Sequence, residues 1–203
     1  SNSGSTFSRI STTRSEDLSF KPGDLNTMYA CGNSFQKSAD GGTTFATVSN
    51  GIAISERMKM AVTEANPSIV YLVQKSGSAF GRLYKSTNSG TSFSVVVDNT
   101  TITDNDINFT QANRDMAITV SNSDANEVHL GGIDYSRSLN GGISWTKMSS
   151  WSAPNDPSYI HADVEVMMYV GNTMYTGTDG GISRSENEAT GELQQREQLQ
   201  QQH

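Results

Sequence analysis

The chain has 203 residues, of which 34% are hydrophobic, 17% are charged and 18 are glycine, a composition that suits one ordered, turn-rich all-β fold. The formal net charge of -7 argues against a nucleic-acid partner, because phosphate binding needs a concentrated basic surface. No apolar run approaches the roughly 18 residues that span a bilayer. The alternating context of the single cysteine, Cys31, predicts a buried strand residue rather than a catalytic thiol.

An eight-residue pattern, S-x-[DN]-x-G-x-[TS]-[FW], organises the chain. In a tight turn between two strands, the Asp or Asn side chain can accept hydrogen bonds from backbone N–H groups, the glycine adopts a conformation that other residues resist, and the aromatic residue anchors the outgoing strand. The predicted turn residues are Ser38, Asp40, Gly42 and Phe45, then Ser86, Asn88, Gly90 and Phe93, then Ser138, Asn140, Gly142 and Trp145. Three matches at spacings of 48 and 52 residues indicate a repeat protein.

The first unit begins inside this pattern. Residues 2–7 fit its last six positions, as expected of a fragment of a longer chain. A turn at residues 21–24 and an alternating strand around residues 28–30 follow, and a brief strand leads into Ser38.

The next three units repeat this order, with three short strands before the pattern and one after it, mostly antiparallel by their turn lengths. The predicted strands are 58–62, 69–73, 81–85 and 93–97, then 116–120, 128–130 and 135–137, then 164–169, 174–176 and 182–185. The fourth unit lacks the pattern and an outgoing strand. We therefore predict repeats over residues 1–185 and a low-complexity Gln/Glu-rich tail over 186–203.

Four antiparallel strands per unit of about 40–50 residues are typical of a β-propeller blade, so the predicted fold is an all-β propeller of about four blades. The three turns make the sequence resemble the Asp-box, or BNR-repeat, propellers, which include sialidases, sortilin-type receptors and xyloglucan-cleaving endoglucanases. In that family the motif is a structural turn on the outer part of the blade. The resemblance therefore implies no catalytic role for Asp40, Asn88 or Asn140.

Three ways of completing the ring stay open. Residues 6–10 form a spare outgoing strand that could complete the fourth blade and close a four-bladed ring by strand exchange. Asp-box propellers usually have six or more blades, so the chain could instead be part of a larger ring, with the remainder supplied by a longer parent chain. Two chains could also form a homodimer with eight blades.

Residues 161–165 contain the best candidate constellation. Strand alternation would place His161, Asp163 and Glu165 on one face, where they could hold a divalent metal, share a proton or bind a polar ligand. The structural alternative is that inner propeller strands present polar side chains to a wet central channel.

Residues 159–181 carry a second resemblance, to segments of large secreted BNR-repeat proteins of Bacteroidetes, many of them exported by the type IX system. Those segments often show H-x-D-x-H before a (G/N)-x-D-G-G turn, and here Glu165 replaces the second His. Residues 178–181 are also similar to the T-D-x-G-G stretch of xyloglucan endoglucanases, which holds a catalytic Asp, although one residue is missing here. The resemblance makes Asp179 a catalytic candidate; the alternative is a turn residue.

Predicted strand starts on neighbouring units supply Arg57, Arg114 and Asp115, which we expect to converge with His161 on one rim and to bind ligand. A sialidase would need three arginines around a carboxylate, and the sequence places only two of them. Trp151 and Tyr159 lie in the longest connection and would stack on sugar rings or anchor the loop.

The segment with Asp104, Asp106 and Asn108 begins like a calcium loop, but Phe109 stands where the invariant glycine would be. A solvated loop is the alternative interpretation. No cofactor is required by the sequence, and calcium or another divalent metal stays an open alternative.

Two functional hypotheses follow. The first is an extracellular bacterial propeller module, secreted or on the cell surface, that binds a glycan or a protein on one rim. The second is a fragment of a glycoside hydrolase, xyloglucanase-like or sialidase-like, in which Asp163 or Glu165 pairs with Asp179 across a sugar-binding cleft. The binding module ranks first because no specific motif fixes an acid pair.

Overall fold

The computed structural model describes residues 3–53, 56–102, 107, 109–185 and the backbone of 193–194. Sixteen strands in these residues form four four-stranded sheets, each built from strands consecutive in the chain and antiparallel to one another. The strands are β1 (Ser15–Lys21), β2 (Asp24–Gly32), β3 (Phe35–Ser38), β4 (Ala46–Val48), β5 (Met58–Val62), β6 (Val70–Ser76), β7 (Ala79–Ser86), β8 (Ser94–Asp98), β9 (Ala117–Val120), β10 (Val128–Gly131), β11 (Tyr135–Ser138), β12 (Thr146–Lys147), β13 (Val164–Val170), β14 (Thr173–Thr178), β15 (Gly181–Ser185) and β16 (Leu193–Gln194). The sheets are the four blades of a β-propeller, which confirms the predicted fold.

The eight-residue patterns form the turns between the third and fourth strands of the first three blades, and we call them the repeat turns (residues 38–45, 86–93 and 138–145). In each, the serine Oγ accepts from the glycine N–H four residues on, at 2.9, 3.0 and 2.9 Å. The Asp or Asn Oδ1 accepts from the backbone N–H four residues on, at 2.9, 3.0 and 3.0 Å. Hydrogen bonds from Thr44 and Ser38 lower the pKa of Asp40 to about 2. In each turn, side-chain oxygens thus accept hydrogen bonds from backbone N–H groups of the same turn.

The core consists of three apolar layers between neighbouring blades. Tyr29, Cys31 and Phe35 of the first blade pack against the second. The largest layer joins the second and third blades, and a smaller one joins the third and fourth. Cys31 is fully buried, which raises its thiol pKa, and its Sγ donates to the Met58 carbonyl oxygen at 3.4 Å. The cysteine is therefore a packing residue, as the sequence predicts.

The outer edge of the fourth blade differs from the sequence prediction. β16 pairs with Arg184 and Ser185 of β15, whereas residues 6–10 form no strand. Edge pairing uses only backbone N–H and C=O groups, so a segment without an apolar face can supply it. The predicted tail thus contributes two residues to the blade, and its remaining residues lie outside the described part of the chain. Within the described residues, no helix is both long and apolar enough to cross a membrane.

Candidate functional site

One end of the propeller carries the candidate residues, and we call it the loop rim. In an antiparallel blade the first strand starts where the second ends, so the residues before β1, β5, β9 and β13 share this end with the tight turns after β2, β6, β10 and β14. The repeat turns lie at the opposite end. The loop rim is therefore where side chains from all four blades meet.

Equivalent positions on this rim carry opposite charges. Arg14 and Arg57 stand directly before the first strands of the first two blades, β1 and β5. Asp115 stands two residues before β9, and Asp163 stands directly before β13. Sequence reasoning missed Arg14. Arg14 could have been found from its position directly before β1, since Arg57 lies at the same position before β5.

Glu16 joins the two arginines. Its Oε2 lies 2.6 Å from Arg57 Nε, and its Oε1 lies 2.8 Å from Arg14 Nη2. Burial raises the pKa of Glu16, but the hydrogen bond and charge of Arg57 outweigh it and leave the pKa below its ordinary value. Arg57 Nη1 also donates to the carbonyl oxygens of Ala112, at 2.7 Å, and Arg114, at 3.2 Å. Arg57 thus holds the connection before β9, while the Arg14 side chain stays 69% exposed.

Asp115 is a buried carboxyl group whose loss of hydration is not offset by hydrogen bonds within the described part of the chain. The side chain is fully buried, and neither oxygen accepts a hydrogen bond from the described residues; Arg114 Nε lies 3.6 Å from Oδ1. Burial and the negative charge of Asp163, opposed by the charge of Arg114, raise the pKa of Asp115 to about 6. Perturbed carboxyl groups of this kind cluster at functional sites.

Replacing Asp115 by asparagine is expected to stabilise the folded protein above pH 7 by about 2–3 kcal/mol. The folded chain keeps a proton on Asp115 up to about pH 6, whereas the unfolded chain releases it near its model value of 3.8. Because Asp115 holds more protons in the folded state than in the unfolded state in that interval, its own contribution to stability falls as pH rises through it, and Asp115→Asn lacks this loss. Urea unfolding of both proteins at pH 4.5 and pH 8 measures this difference.

Asp156→Asn is the matched control. Hydrogen bonds from the Ser158 hydroxyl and backbone lower the pKa of Asp156 below its ordinary value of 3.8, so this carboxyl is ionised in the folded and unfolded chains at both pH values. Asp156→Asn should therefore differ from wild type by nearly the same amount at pH 4.5 and pH 8. A constant difference in stability between Asp115→Asn and wild type at the two pH values would contradict the assignment of a raised pKa to Asp115.

The expectation that His161, Asp163 and Glu165 share one strand face is wrong. β13 begins only at Val164, Asp163 has φ of +65°, and a bulge between Val164 and Val166 interrupts the alternation. A positive φ at a residue other than glycine costs about 1–2 kcal/mol, and such strain persists where the surroundings enforce it.

Two close polar contacts organise the same residues instead. His161 Nδ1 lies 3.0 Å from Asp179 Oδ1, and Arg114 Nε lies 3.3 Å from Glu165 Oε1. Gly180 lies against the His161 imidazole, where any Cβ would overlap the ring. The short turn after β14 is thus built around His161, and the contact of Arg114 with Glu165 links the third and fourth blades.

The remaining candidates are placed as follows. Trp151 is 55% exposed in the long connection before β13, and its backbone N–H donates to the buried Asp134 at 2.9 Å. Tyr159 is half-buried in the same connection. Among the described residues, no three His, Cys, Asp or Glu side chains are arranged to hold a metal ion. The proposed calcium ligands Asp104, Asp106 and Asn108 lie outside the described residues.

The arrangement favours binding over proton transfer. The side chains of Arg14 and Arg114 are mostly exposed, and the side chain of Glu165 is about half exposed. The loop rim therefore presents both hydrogen-bond donors and hydrogen-bond acceptors to a polar ligand. Asp115, whose carboxyl pKa is raised, is fully buried and cannot reach a substrate oxygen directly.

No protein-family model matches the chain, and no curated protein matches its sequence. A GH74 xyloglucanase from Xanthomonas campestris superposes with a TM-score of 0.59 at 16% identity, over 85% of this chain and 29% of that one. An auxiliary nutrient binding protein from Bacteroides thetaiotaomicron gives 0.56 at 14% identity, over 89% and 40%. YCF48 bound to a D1 peptide gives 0.56 at 13% identity, over 86% and 52%. The chain spans about half or less of these proteins, and the likeness shows a common β-propeller fold.

Proposed function

We propose that the chain is a secreted or cell-surface bacterial propeller module of the Asp-box type that binds a polar ligand, a glycan or a protein segment, on its loop rim. The observation that carries this proposal is the convergence of exposed, oppositely charged side chains around the buried Asp115. The occurrence of nutrient-binding and peptide-bound propellers among similar structures is consistent with it.

A carbohydrate would use each part of this surface. Arg14 and Arg114 would donate to sugar oxygens, Glu165 and Asp179 would accept from hydroxyl groups, and the exposed Trp151 ring would cover an apolar sugar face. A few oriented polar groups beside an aromatic surface are the usual composition of a small-ligand site. A peptide segment would use the same charges with its own acidic and basic side chains.

Hydrolysis of a glycoside is the second candidate. Glu165 contacts Arg114 directly and the charge of Asp179 also acts on that arginine, so these two carboxylates are close to one guanidinium. Asp163 or Glu165 with Asp179 would then be the acid pair. Release of reducing ends from xyloglucan and release of sialic acid from sialyllactose test this activity. The loss of either product in Asp179→Asn would establish a glycosidase.

Arg114→Ala is expected to weaken ligand binding about 10- to 100-fold, because it removes a charged hydrogen-bond donor from the site. Calorimetric titration with xyloglucan oligosaccharides, sialyllactose, and acidic and basic peptides measures the affinity. Lys21→Ala is the control, since Lys21 is a cation at the opposite end of the first blade, 4.0 Å from Asp24. Equal affinity of Arg114→Ala and wild type for the bound ligand would refute the assignment, as would absence of binding across the panel.

A further inference from the structure

One position on the third strand of each blade is buried in the first three blades and exposed in the fourth. Phe35, Leu83 and Tyr135 lie opposite Cys31, Val73 and Gly131 of their second strands, and Ile182 lies opposite Gly177 in the same register. The first three side chains are 0–1% exposed because each packs against the following blade, whereas Ile182 is 76% exposed.

Ile182 belongs to a larger apolar surface, the open face of blade 4. Val166, Met168 and Val170 project from β13 on the same side, and each is at least 49% exposed. Together with Tyr175 and Ile182 they line a groove of about 350 Å³. Contiguous apolar surface of this kind marks an interaction site.

The first blade carries the counterpart, the open face of blade 1. Leu18 and Phe20 of β1 occupy two positions whose equivalents in the other blades pack against the preceding blade. Those equivalents are Met60 and Val62 in blade 2, Ile118 and Val120 in blade 3, and Met167 and Tyr169 in blade 4. Leu18 is 57% exposed and Phe20 is 43% exposed. Among the described residues, no blade thus packs against the open face of blade 4 or against the open face of blade 1.

Charges at the loop rim favour joining these two faces. Equivalent rim residues of neighbouring blades interact within the chain, since Arg14 and Arg57 share Glu16 and the charge of Asp163 acts on Asp115. A fourth blade placed before a first blade would bring Asp163 next to the exposed Arg14. That contact joins opposite charges, whereas the neighbouring aspartates of blades 3 and 4 repel each other.

We propose that two copies of this chain associate head to tail, with the open face of blade 4 of each copy covering the open face of blade 1 of the other. The two faces do not cover each other within one chain, because no buried apolar cluster of the described residues joins blades 1 and 4. A two-fold axis between two copies buries both faces twice and closes a ring of eight blades.

Sedimentation equilibrium and light scattering test the association. The wild type is expected to have twice the 21.9 kDa mass of one chain. Ile182→Glu and Phe20→Glu should each weaken the dimer at least about tenfold, since either change places an unpaired charge in both apolar seams. Leu139→Glu, at an exposed site in the third repeat turn, should leave the dimer intact. Circular dichroism and thermal unfolding establish that each variant is folded.

A mixing experiment gives the orientation. Ile182→Glu and Phe20→Glu chains combined in equal amounts should form more dimer than either alone, because the mixed pair retains one unmodified seam. An isologous pairing of two blade 4 faces predicts no such recovery. A monomeric wild type, a dimer insensitive to Ile182→Glu, or no gain on mixing would overturn the proposal.

Discussion

Replacing Gly51 by alanine is expected to destabilise the folded chain by about 3 kcal/mol or more. Gly51 has φ of +83°, and a Cβ there would overlap the Phe93 carbonyl oxygen. The two segments cannot separate easily, because the Phe93 N–H donates to the Asn50 carbonyl oxygen at 3.0 Å and the Phe93 ring lies 4.9 Å from that of Phe35. This close approach fixes the second repeat turn to the connection between the first two blades.

Gly77→Ala is the matched control for Gly51→Ala. Gly77 also has a positive φ, +62°, but nothing lies within 4 Å of its ideal Cβ position. Gly77→Ala should lower the free energy of unfolding by only about 1 kcal/mol, which is the cost of placing alanine at a positive φ. Urea unfolding at neutral pH measures both effects, and similar losses in the two variants would show that the backbone approach at Gly51 contributes nothing.

Replacing His129 by leucine is expected to lower the free energy of unfolding by about 2–4 kcal/mol. The imidazole is 2% exposed and bridges two tyrosines, with Nδ1 2.8 Å from the Tyr135 hydroxyl and Nε2 2.9 Å from the Tyr169 hydroxyl. The bridge joins the third blade to the fourth. Leucine removes both hydrogen bonds, whereas the control Tyr169→Phe removes only one and should lose about 1 kcal/mol.

The pH dependence of stability tests the same histidine independently. Burial lowers the pKa of His129 to about 3, and the charge of Arg137 acts in the same direction. The unfolded chain takes up a proton near pH 6.5 and the folded chain only near pH 3, so the unfolded state binds more protons between them. Stability should therefore fall on acidification in this window, by about 1.4 kcal/mol per pH unit from His129.

Asp115 opposes His129 between about pH 4 and pH 6, because the folded chain holds the Asp115 proton more tightly than the unfolded chain does. The wild type should consequently show a shallow profile there, and His129→Leu should become more stable as the pH falls from 6 to 4. A parallel profile for His129→Leu and wild type would contradict a neutral, buried His129.

The repeat turns could be predicted because their contacts are local. Ser38, Asp40 and Gly42 form their hydrogen bonds within a few residues of one another, so the spacing of residue types was enough to place each turn between the third and fourth strands. The order of short alternating strands and tight turns then indicated the order of strands in each blade, because consecutive antiparallel strands need only short connections.

The candidate site could be predicted only in part, since its contacts join distant parts of the chain. Strand starts indicated that Arg57 and Arg114 would approach each other, but the link through Glu16 depends on how the first two blades pack. Alternation failed at Asp163 because its positive φ ends the strand pattern. The exposure of Ile182 could not be predicted either, because the residue at that position is as apolar as its equivalents in the other blades.

The most direct test of ligand binding on the loop rim is a nuclear magnetic resonance titration of the 15N-labelled protein with the same oligosaccharides and peptides. The account predicts that backbone resonances of residues 114–115, 161–165 and 179–180 shift with ligand concentration while those of the repeat turns stay in place. Shifts confined to the repeat turns, or no shift with any ligand of the panel, would contradict it.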